Sequence, residues 1–133
     1  MDGKAPYRIL LVEDDHAIAQ VIALGLRYLG DSYLLDQAIS AEDGFDLWQQ
    51  EAYDIVLTDY NLRGTSGVQM LQRIRELGSN VPAILFTAFD TSEIRAEAAQ
   101  VGVSYLPKPF LIDEIVHLTR KLLCIPDDNA RVV

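Results

Sequence analysis

The sequence predicts a doubly wound α/β fold in which five parallel strands alternate with five helices. Five short apolar runs rich in β-branched residues recur along the chain, and their continuous hydrophobicity is typical of strands covered on both faces. Between these runs, apolar residues recur at a spacing of three to four, as in amphipathic helices. Because parallel strands need helical crossovers of one hand, this alternation favours a parallel sheet with helices on both sides.

The strands are predicted at the five apolar runs. Each has the ordinary length of a strand, about five residues. In chain order they are Arg8–Glu13, Tyr33–Ala38, Tyr53–Leu57, Ala83–Phe86 and Val103–Leu106.

The first and last helices have the clearest apolar faces. The first is expected to stop at Gly30, since glycine commonly follows a helix end, and the last carries Arg120 and Lys121 near the negative end of its dipole. The apolar residues are Ile18, Val21, Ile22, Leu26 and Leu29 in the first helix, and Ile112, Ile115, Val116, Thr119, Leu122 and Leu123 in the last.

The three middle helices are predicted at 41–52, 67–77 and 91–101. The first two are amphipathic, with Phe45, Leu47 and Trp48 in one and Met70, Leu71, Ile74 and Leu77 in the other. The third has the thinnest apolar stripe, formed by Ile94, Ala98 and Val101.

Length, charge and cysteine content limit the classes of function. The 133 residues make one domain, divided into an N-terminal arm (1–7), the folded domain (8–124) and a tail or linker start (125–133). A net charge of -9 disfavours direct binding to nucleic acid or an anionic membrane, and Cys124 has no second cysteine to pair with. Since the sequence shows neither a signal peptide nor a membrane-spanning run, we expect a soluble, cytoplasmic protein.

Charged and hydroxyl side chains stand at the carboxyl ends of four predicted strands. In an open parallel sheet, ligands bind beyond these ends, where the strand order reverses. The residues concerned are Glu13, Asp14 and Asp15 after the first strand, then Asp59, Thr87 and Lys108 after the third, fourth and fifth.

This group has the composition of a metal-assisted phosphoryl-transfer site. Carboxylate oxygens at such density suit Mg²⁺, which prefers one or two carboxylates together with waters and a phosphate oxygen. Lys108 and the hydroxyl of Thr87 can share the charge that develops on a phosphoryl group. Asp59 is the candidate nucleophile, because a carboxylate can form an acyl phosphate. Asp15 directly precedes the first helix, and its favoured role is that of a helix cap.

Four motifs in a fixed order carry a resemblance to a known family. They are ILLVEDD, DIVLTDY, LFTA and YLPKPF, each at a predicted strand end. Together they resemble the receiver domains of two-component response regulators, the CheY-like superfamily, over residues 8 to about 124. The resemblance implies a five-stranded parallel sheet of order 2-1-3-4-5, as in flavodoxin-like folds, and a phosphorylation-activated signalling switch.

The resemblance implies a phosphoacceptor and a metal site. It makes Asp59 the phosphoacceptor. It also implies that Mg²⁺, for which Mn²⁺ can substitute, is bound by Asp14 directly, by Glu13 through water, by Asp59 and by the backbone carbonyl of Asn61.

The resemblance further implies a set of switch residues. Thr87 matches the switch hydroxyl, Lys108 the lysine that pairs with the phosphate, and Tyr105 the switch aromatic. The Lys108–Pro109 peptide bond is expected to be cis, an isomer that essentially only proline makes accessible.

One loop departs from the family pattern. After Asp59 the family usually has Met-Pro at the third and fourth positions, where this chain has Leu62 and Arg63. We expect the loss of proline to loosen the loop, and we expect Arg63 to lie near the phosphorylation site as a modulator.

The resemblance implies partners as well. A histidine kinase or histidine phosphotransfer protein would phosphorylate Asp59, and a downstream protein or output domain would bind the face made by the fourth helix, fifth strand and fifth helix. A homodimer remains open. The protein is not expected to be an enzyme beyond catalysing its own phosphorylation and autodephosphorylation.

Other classes of protein remain as alternatives. A phosphorylation-independent binding module would be unmodified by acetyl phosphate with Mg²⁺. A flavodoxin-like flavin binder or an aspartate-based phosphatase is disfavoured, because the first strand leads into carboxylates and the candidate nucleophile follows the third. The chain could also be a receiver cut from a hybrid histidine kinase or a transcription factor. Against a transcription factor, VGVSYL lacks the acidic pair common in one large subclass.

Overall fold

The computed structural model describes residues 5–126, in which five parallel strands form one sheet of order β2-β1-β3-β4-β5. This confirms the predicted fold class. The elements are β1 (Tyr7–Val12), α1 (His16–Leu26), β2 (Tyr33–Ala38), α2 (Ala41–Gln50), β3 (Ile55–Asp59), α3 (Gly67–Glu76), β4 (Ala83–Thr87), α4 (Ser92–Val101), β5 (Ser104–Pro107) and α5 (Ile112–Leu122).

The ends of the chain fall partly outside this description. Residues 1–4 of the predicted arm and 127–133 of the predicted tail lie outside the described residues. Tyr7 belongs to β1 rather than to the arm, because it pairs with Tyr33 of β2. Among the described residues, no helix combines the length and apolarity needed to span a membrane.

The strand that carries the candidate nucleophile differs from its prediction. The sequence placed it at 53–57, whereas β3 spans Ile55–Asp59. Tyr53 and Asp54 precede β3 because their side chains make contacts elsewhere: the Tyr53 hydroxyl donates to Asp36 Oδ2 over 2.6 Å, and Asp54 accepts from the Arg8 backbone amide. As a result, Asp59 is the last residue of the strand.

Two apolar layers cover the two faces of the sheet. In β1, Ile9 and Leu11 face α1 and α5, while Leu10 and Val12 face α2, α3 and α4. All four side chains are fully buried. The continuous hydrophobicity of the strands is therefore explained by helices on both sides.

The predicted helical faces are largely buried, with two exceptions. Val21 and Leu77, expected in the apolar stripes of α1 and α3, are 49% and 60% exposed. Leu77 lies one residue beyond the last residue of α3, where the chain no longer follows the helical face. In α4 the three residues of the predicted thin stripe are the buried ones: Ile94, Ala98 and Val101.

Helix starts are fixed by side-chain caps. Asp15 caps α1, since its Oδ1 accepts from the Ile18 amide over 3.1 Å, as the sequence predicted. Ser66 caps α3 in a capping box with Gln69. These caps fix the start of the helices that follow β1 and β3, next to the candidate site.

Gly67 allows α3 to begin against the end of β3. A Cβ at this position would overlap the carbonyl oxygen of Asp59 and lie 2.8 Å from Thr58 Oγ1. The Gly67 amide also donates to the Tyr60 carbonyl over 3.0 Å. The absence of a side chain therefore lets the helix approach the backbone of the candidate nucleophile.

Replacing Gly67 with alanine is expected to destabilise the fold, because the added methyl group must displace the backbone of Asp59. The expected loss is about 1–3 kcal/mol in the free energy of unfolding, as for other overpacked sites. Urea denaturation measures it, with Gln72→Ala on the exposed side of α3 as the control, expected within about 0.5 kcal/mol of wild type. Equal stability of wild type and Gly67→Ala would contradict this packing argument.

Candidate functional site

Three carboxylates meet at the carboxyl ends of β1 and β3. The two strands are neighbours, with Val12 beside Thr58, so the residues that follow β1 lie next to the end of β3. One carboxylate oxygen from each of Glu13, Asp14 and Asp59 lies within 4.8 Å of the others. Glu13 and Asp59 are only 2% and 5% exposed, whereas Asp14 is half-buried.

Lys108 supplies a positive charge to this acidic cluster. Its Nζ lies 3.4 Å from both Glu13 Oε1 and Asp59 Oδ1, and it also lies over the ring of Phe86. The ammonium group is mostly buried. With all three carboxylates ionised, one lysine leaves two negative charges uncompensated, a balance that a divalent cation would restore.

The donor atoms fit a hard divalent cation. Asp59 Oδ1 is buried and makes no hydrogen bond within residues 5–126, since its contact with Lys108 lacks hydrogen-bond geometry. Glu13 differs, because its Oε2 accepts from the Asp15 amide over 3.1 Å. A buried carboxylate oxygen without a donor is costly, and oxygen ligands of this kind are those that Mg²⁺ prefers. The cluster could therefore hold a metal ion.

Burial raises the pKa of both inner carboxyl groups. For Glu13 the pKa rises to about 7, mainly through burial and secondarily through the nearby charge of Asp59, while the Asp15 amide and Lys108 act in the opposite direction. Burial likewise raises the pKa of Asp59, against the lowering effects of Lys108 and of the Asn61 amide. The ionised carboxylates are thus destabilised in the metal-free protein, and a bound cation would favour them.

Thr87 and Lys108 are held close together by the backbone. Thr87 is the last residue of β4 and is fully buried, and the Lys108 amide donates to its carbonyl over 2.7 Å. The hydroxyl Oγ1 of Thr87 accepts from the Phe89 amide over 3.0 Å, within the loop before α4. The Lys108–Pro109 peptide bond is cis.

Tyr105 on β5 is tied to the loop between β4 and α4. Its hydroxyl donates to Asp90 Oδ1 over 3.0 Å. Arg95 forms two hydrogen bonds with the same carboxylate, of 2.7 and 2.8 Å, and its guanidinium lies 5.1 Å from the centre of the Tyr105 ring. No local pattern in the sequence marks Asp90 or Arg95 as functional, because a charged pair at a helix start is common and only the contact with Tyr105 on β5 makes it specific.

The loop after β3 contains the departure from the family pattern. Asn61 is exposed, Leu62 packs against the apolar layer under α2 and α3, and Arg63 is exposed without an ion pair to any described residue. The predicted role of Arg63 as a modulator stays a prediction.

Contacts from α2 and α3 restrain this loop even without the proline. Gly64 adopts a φ of 76°, with the carboxylate of Glu42 close by. Contacts of Glu42 with its own backbone amide and with Thr65 lower the pKa of that carboxyl. The capping box of Ser66 then joins the loop to α3, and the expected loosening of the loop stays a prediction.

The fold and the site together define a doubly wound α/β domain with an acidic centre at the carboxyl edge of its sheet. Residues 9–120 match the family described as the response regulator receiver domain. The chain therefore belongs to this family, the receiver domains of two-component signal transduction, whose general function is that of a phosphorylation switch.

Curated relatives and solved structures agree with this assignment. The chain is 36% identical over 116 residues to the uncharacterised transcriptional regulatory protein YkoG of Bacillus subtilis, covering 86% of this chain and 50% of that protein. It is 31% identical over 128 residues to the response regulator MprA of Mycolicibacterium vanbaalenii, covering 94% and 54%. The receiver domain of the Francisella response regulator 1452 superposes with a TM-score of 0.82 at 28% identity, covering 89% of this chain and 97% of that domain.

The chain spans about half the length of the curated relatives that it matches. Several of these relatives are named as transcriptional regulatory proteins.

Replacing Asp59 with asparagine is expected to stabilise the metal-free protein at neutral pH, because it removes a buried charge that lies beside Glu13. Since the folded state raises the pKa of Asp59, the unfolding free energy of wild type falls as the pH rises above the ordinary carboxyl value of about 4. The unfolding free energy of Asp59→Asn should fall less steeply with rising pH than that of wild type.

Urea denaturation at several pH values in the presence of a chelator measures this difference. Asp46→Asn, an exposed position on α2, removes one carboxylate away from the site and serves as the control. If Asp59→Asn is less stable than wild type at neutral pH, the expectation is wrong. The ion pair with Lys108 would then stabilise the folded protein by more than burial of the charge and repulsion from Glu13 destabilise it.

Proposed function

We propose that the chain is a phosphorylation-activated switch that accepts a phosphoryl group on Asp59 from a phosphohistidine donor. The observation that carries the proposal is the buried Oδ1 of Asp59, which accepts no hydrogen bond from the described residues and lies 3.4 Å from Lys108 Nζ, within reach of the acidic pair. An ionised carboxylate without hydrogen bonds on one oxygen is a nucleophile that needs no separate base.

The proposed metal ion is Mg²⁺, with Mn²⁺ as a substitute. Asp14, Asp59 and the backbone carbonyl of Asn61 would hold it directly, and Glu13 would act through water. When bound, the ion supplies positive charge to the oxygens of the transferring phosphoryl group. The composition of the cluster, three carboxylates against one lysine, supports this assignment.

Transfer places the new bond on an oxygen of Asp59. That oxygen bonds to phosphorus while the bond between phosphorus and the donor's histidine nitrogen breaks, and the nitrogen retains the electron pair. Lys108, already mostly buried between Glu13 and Asp59, stabilises the negative charge on the phosphoryl oxygens. Later attack by water would release phosphate, and no other reaction is proposed for the chain.

The proposed switch begins at Thr87. Its hydroxyl, now accepting from the Phe89 amide, would turn towards the phosphoryl group as a donor. The loop that contains Phe89 also contains Asp90, to which the Tyr105 hydroxyl is bonded. A shift of this loop would therefore release Tyr105 and change the surface formed by α4, β5 and α5, the α4-β5-α5 face.

The proposed partners follow from this switch. A histidine kinase or histidine phosphotransfer protein supplies the phosphoryl group, and a downstream protein or an output domain reads the α4-β5-α5 face. The names of the relatives and their double length support an output domain with a regulatory role. A cytoplasmic setting and no direct contact with nucleic acid or membrane are further parts of the proposal, and a homodimer remains open.

Acetyl phosphate with Mg²⁺ is expected to add one phosphoryl group to the wild-type chain, a gain of ~80 Da in intact mass. Asp59→Asn should gain nothing, because the amide cannot form an acyl phosphate. Lys108→Met should be modified more slowly than wild type, since its site lacks the cation that stabilises the phosphoryl oxygens. The measurement is intact-mass spectrometry over time.

Asp54→Asn provides a matched control, because this carboxylate lies at the opposite end of β3 and should leave the mass gain unchanged. An equal gain in wild type and Asp59→Asn would overturn the assignment of Asp59. No gain in any of them would favour a phosphorylation-independent binding module.

A further inference from the structure

A single side-chain contact joins the neighbour of the candidate phosphoacceptor to α4. The hydroxyl of Tyr60 donates to Oε1 of Glu97 over 2.9 Å. Both residues are half-buried. A hydrogen bond to a carboxylate in such a place is stronger than a neutral one. The bond also raises the pKa of the Tyr60 hydroxyl.

Tyr60 is well placed to respond to a change at Asp59. It directly follows Asp59 in the chain, and its amide donates to the carbonyl of Phe86 over 2.9 Å. Its carbonyl accepts from the Gly67 amide. Phe86 directly precedes Thr87, so the Tyr60 amide is bonded to the backbone beside the proposed switch hydroxyl.

The helix at the other end of the contact is held by little apolar packing. Only Ile94, Ala98 and Val101 of α4 are buried. Polar links add to this packing. One is the group of Asp90, Arg95 and Tyr105 at its start, and the Tyr60–Glu97 bond lies near its middle.

We propose that the Tyr60–Glu97 hydrogen bond holds α4 in its position in the unphosphorylated chain and couples the backbone beside Asp59 to this helix. The proposal rests on the proposed function for the direction of the switch. The link is separate from the one through Thr87 and Tyr105, because it starts at the residue that follows β3 rather than β4 and ends on Glu97 rather than on Arg95. Breaking it should favour the phosphorylated arrangement, since a contact made in only one state biases the equilibrium towards that state.

The first test measures how firmly α4 is held in the unphosphorylated protein. Amide hydrogen exchange of residues 94–101 is compared in wild type, Tyr60→Phe, Glu97→Met and the double variant. Each single variant should raise the exchange rate roughly three- to tenfold, and the double variant should add little more, because either change removes the same bond. Tyr28→Phe and Glu76→Met are controls at exposed positions outside α4 and should match wild type.

The second test measures coupling to the site with beryllofluoride, a phosphoryl mimic, in the presence of Mg²⁺. Tyr60→Phe and Glu97→Met should reach half-saturation at a several-fold lower concentration than wild type. Unchanged α4 exchange would overturn the holding role, and equal or weaker beryllofluoride binding would overturn the coupling. A wild type that takes up neither beryllofluoride nor a phosphoryl group would overturn the proposed function, while the exchange comparison would still decide whether Tyr60 holds α4.

Discussion

The mutual repulsion of Glu13, Asp14 and Asp59 is the constraint on which the site depends. Two unit charges about 4 Å apart near a protein surface interact by ~4 kcal/mol, and burial adds to this cost. Lys108, at 3.4 Å from two of the three carboxylates, offsets part of it. A divalent cation would balance the two negative charges that remain.

The rest of the fold keeps these charges together. A parallel sheet brings the carboxyl ends of β1, β3, β4 and β5 to one edge, although Glu13 and Lys108 are 95 residues apart in the chain. Apolar layers on both faces make the strands rigid, and Gly67 lets α3 begin directly against Asp59. Helix α4 has a thin apolar face, with three buried residues, and it makes several polar contacts with neighbouring elements.

The sequence predicted the fold and the meeting of the site residues because both depend on strand ends, which short apolar runs mark clearly. It missed details that depend on single contacts. The start of β3 was placed two residues early because the side chains of Tyr53 and Asp54 bond outside the sheet. The contacts of Asp90 with Tyr105 and of Tyr60 with Glu97 join residues 15 and 37 positions apart, and no local pattern indicates them.

The most direct test of the account is a calorimetric titration of the chelator-treated wild type with Mg²⁺, without any phosphoryl donor. One Mg²⁺ ion should bind per wild-type chain. Binding should be lost in Asp14→Asn and Asp59→Asn and retained in Asp46→Asn. Equal affinity in wild type and Asp14→Asn, or no binding to wild type, would contradict the claim that the carboxylate cluster is a cation site.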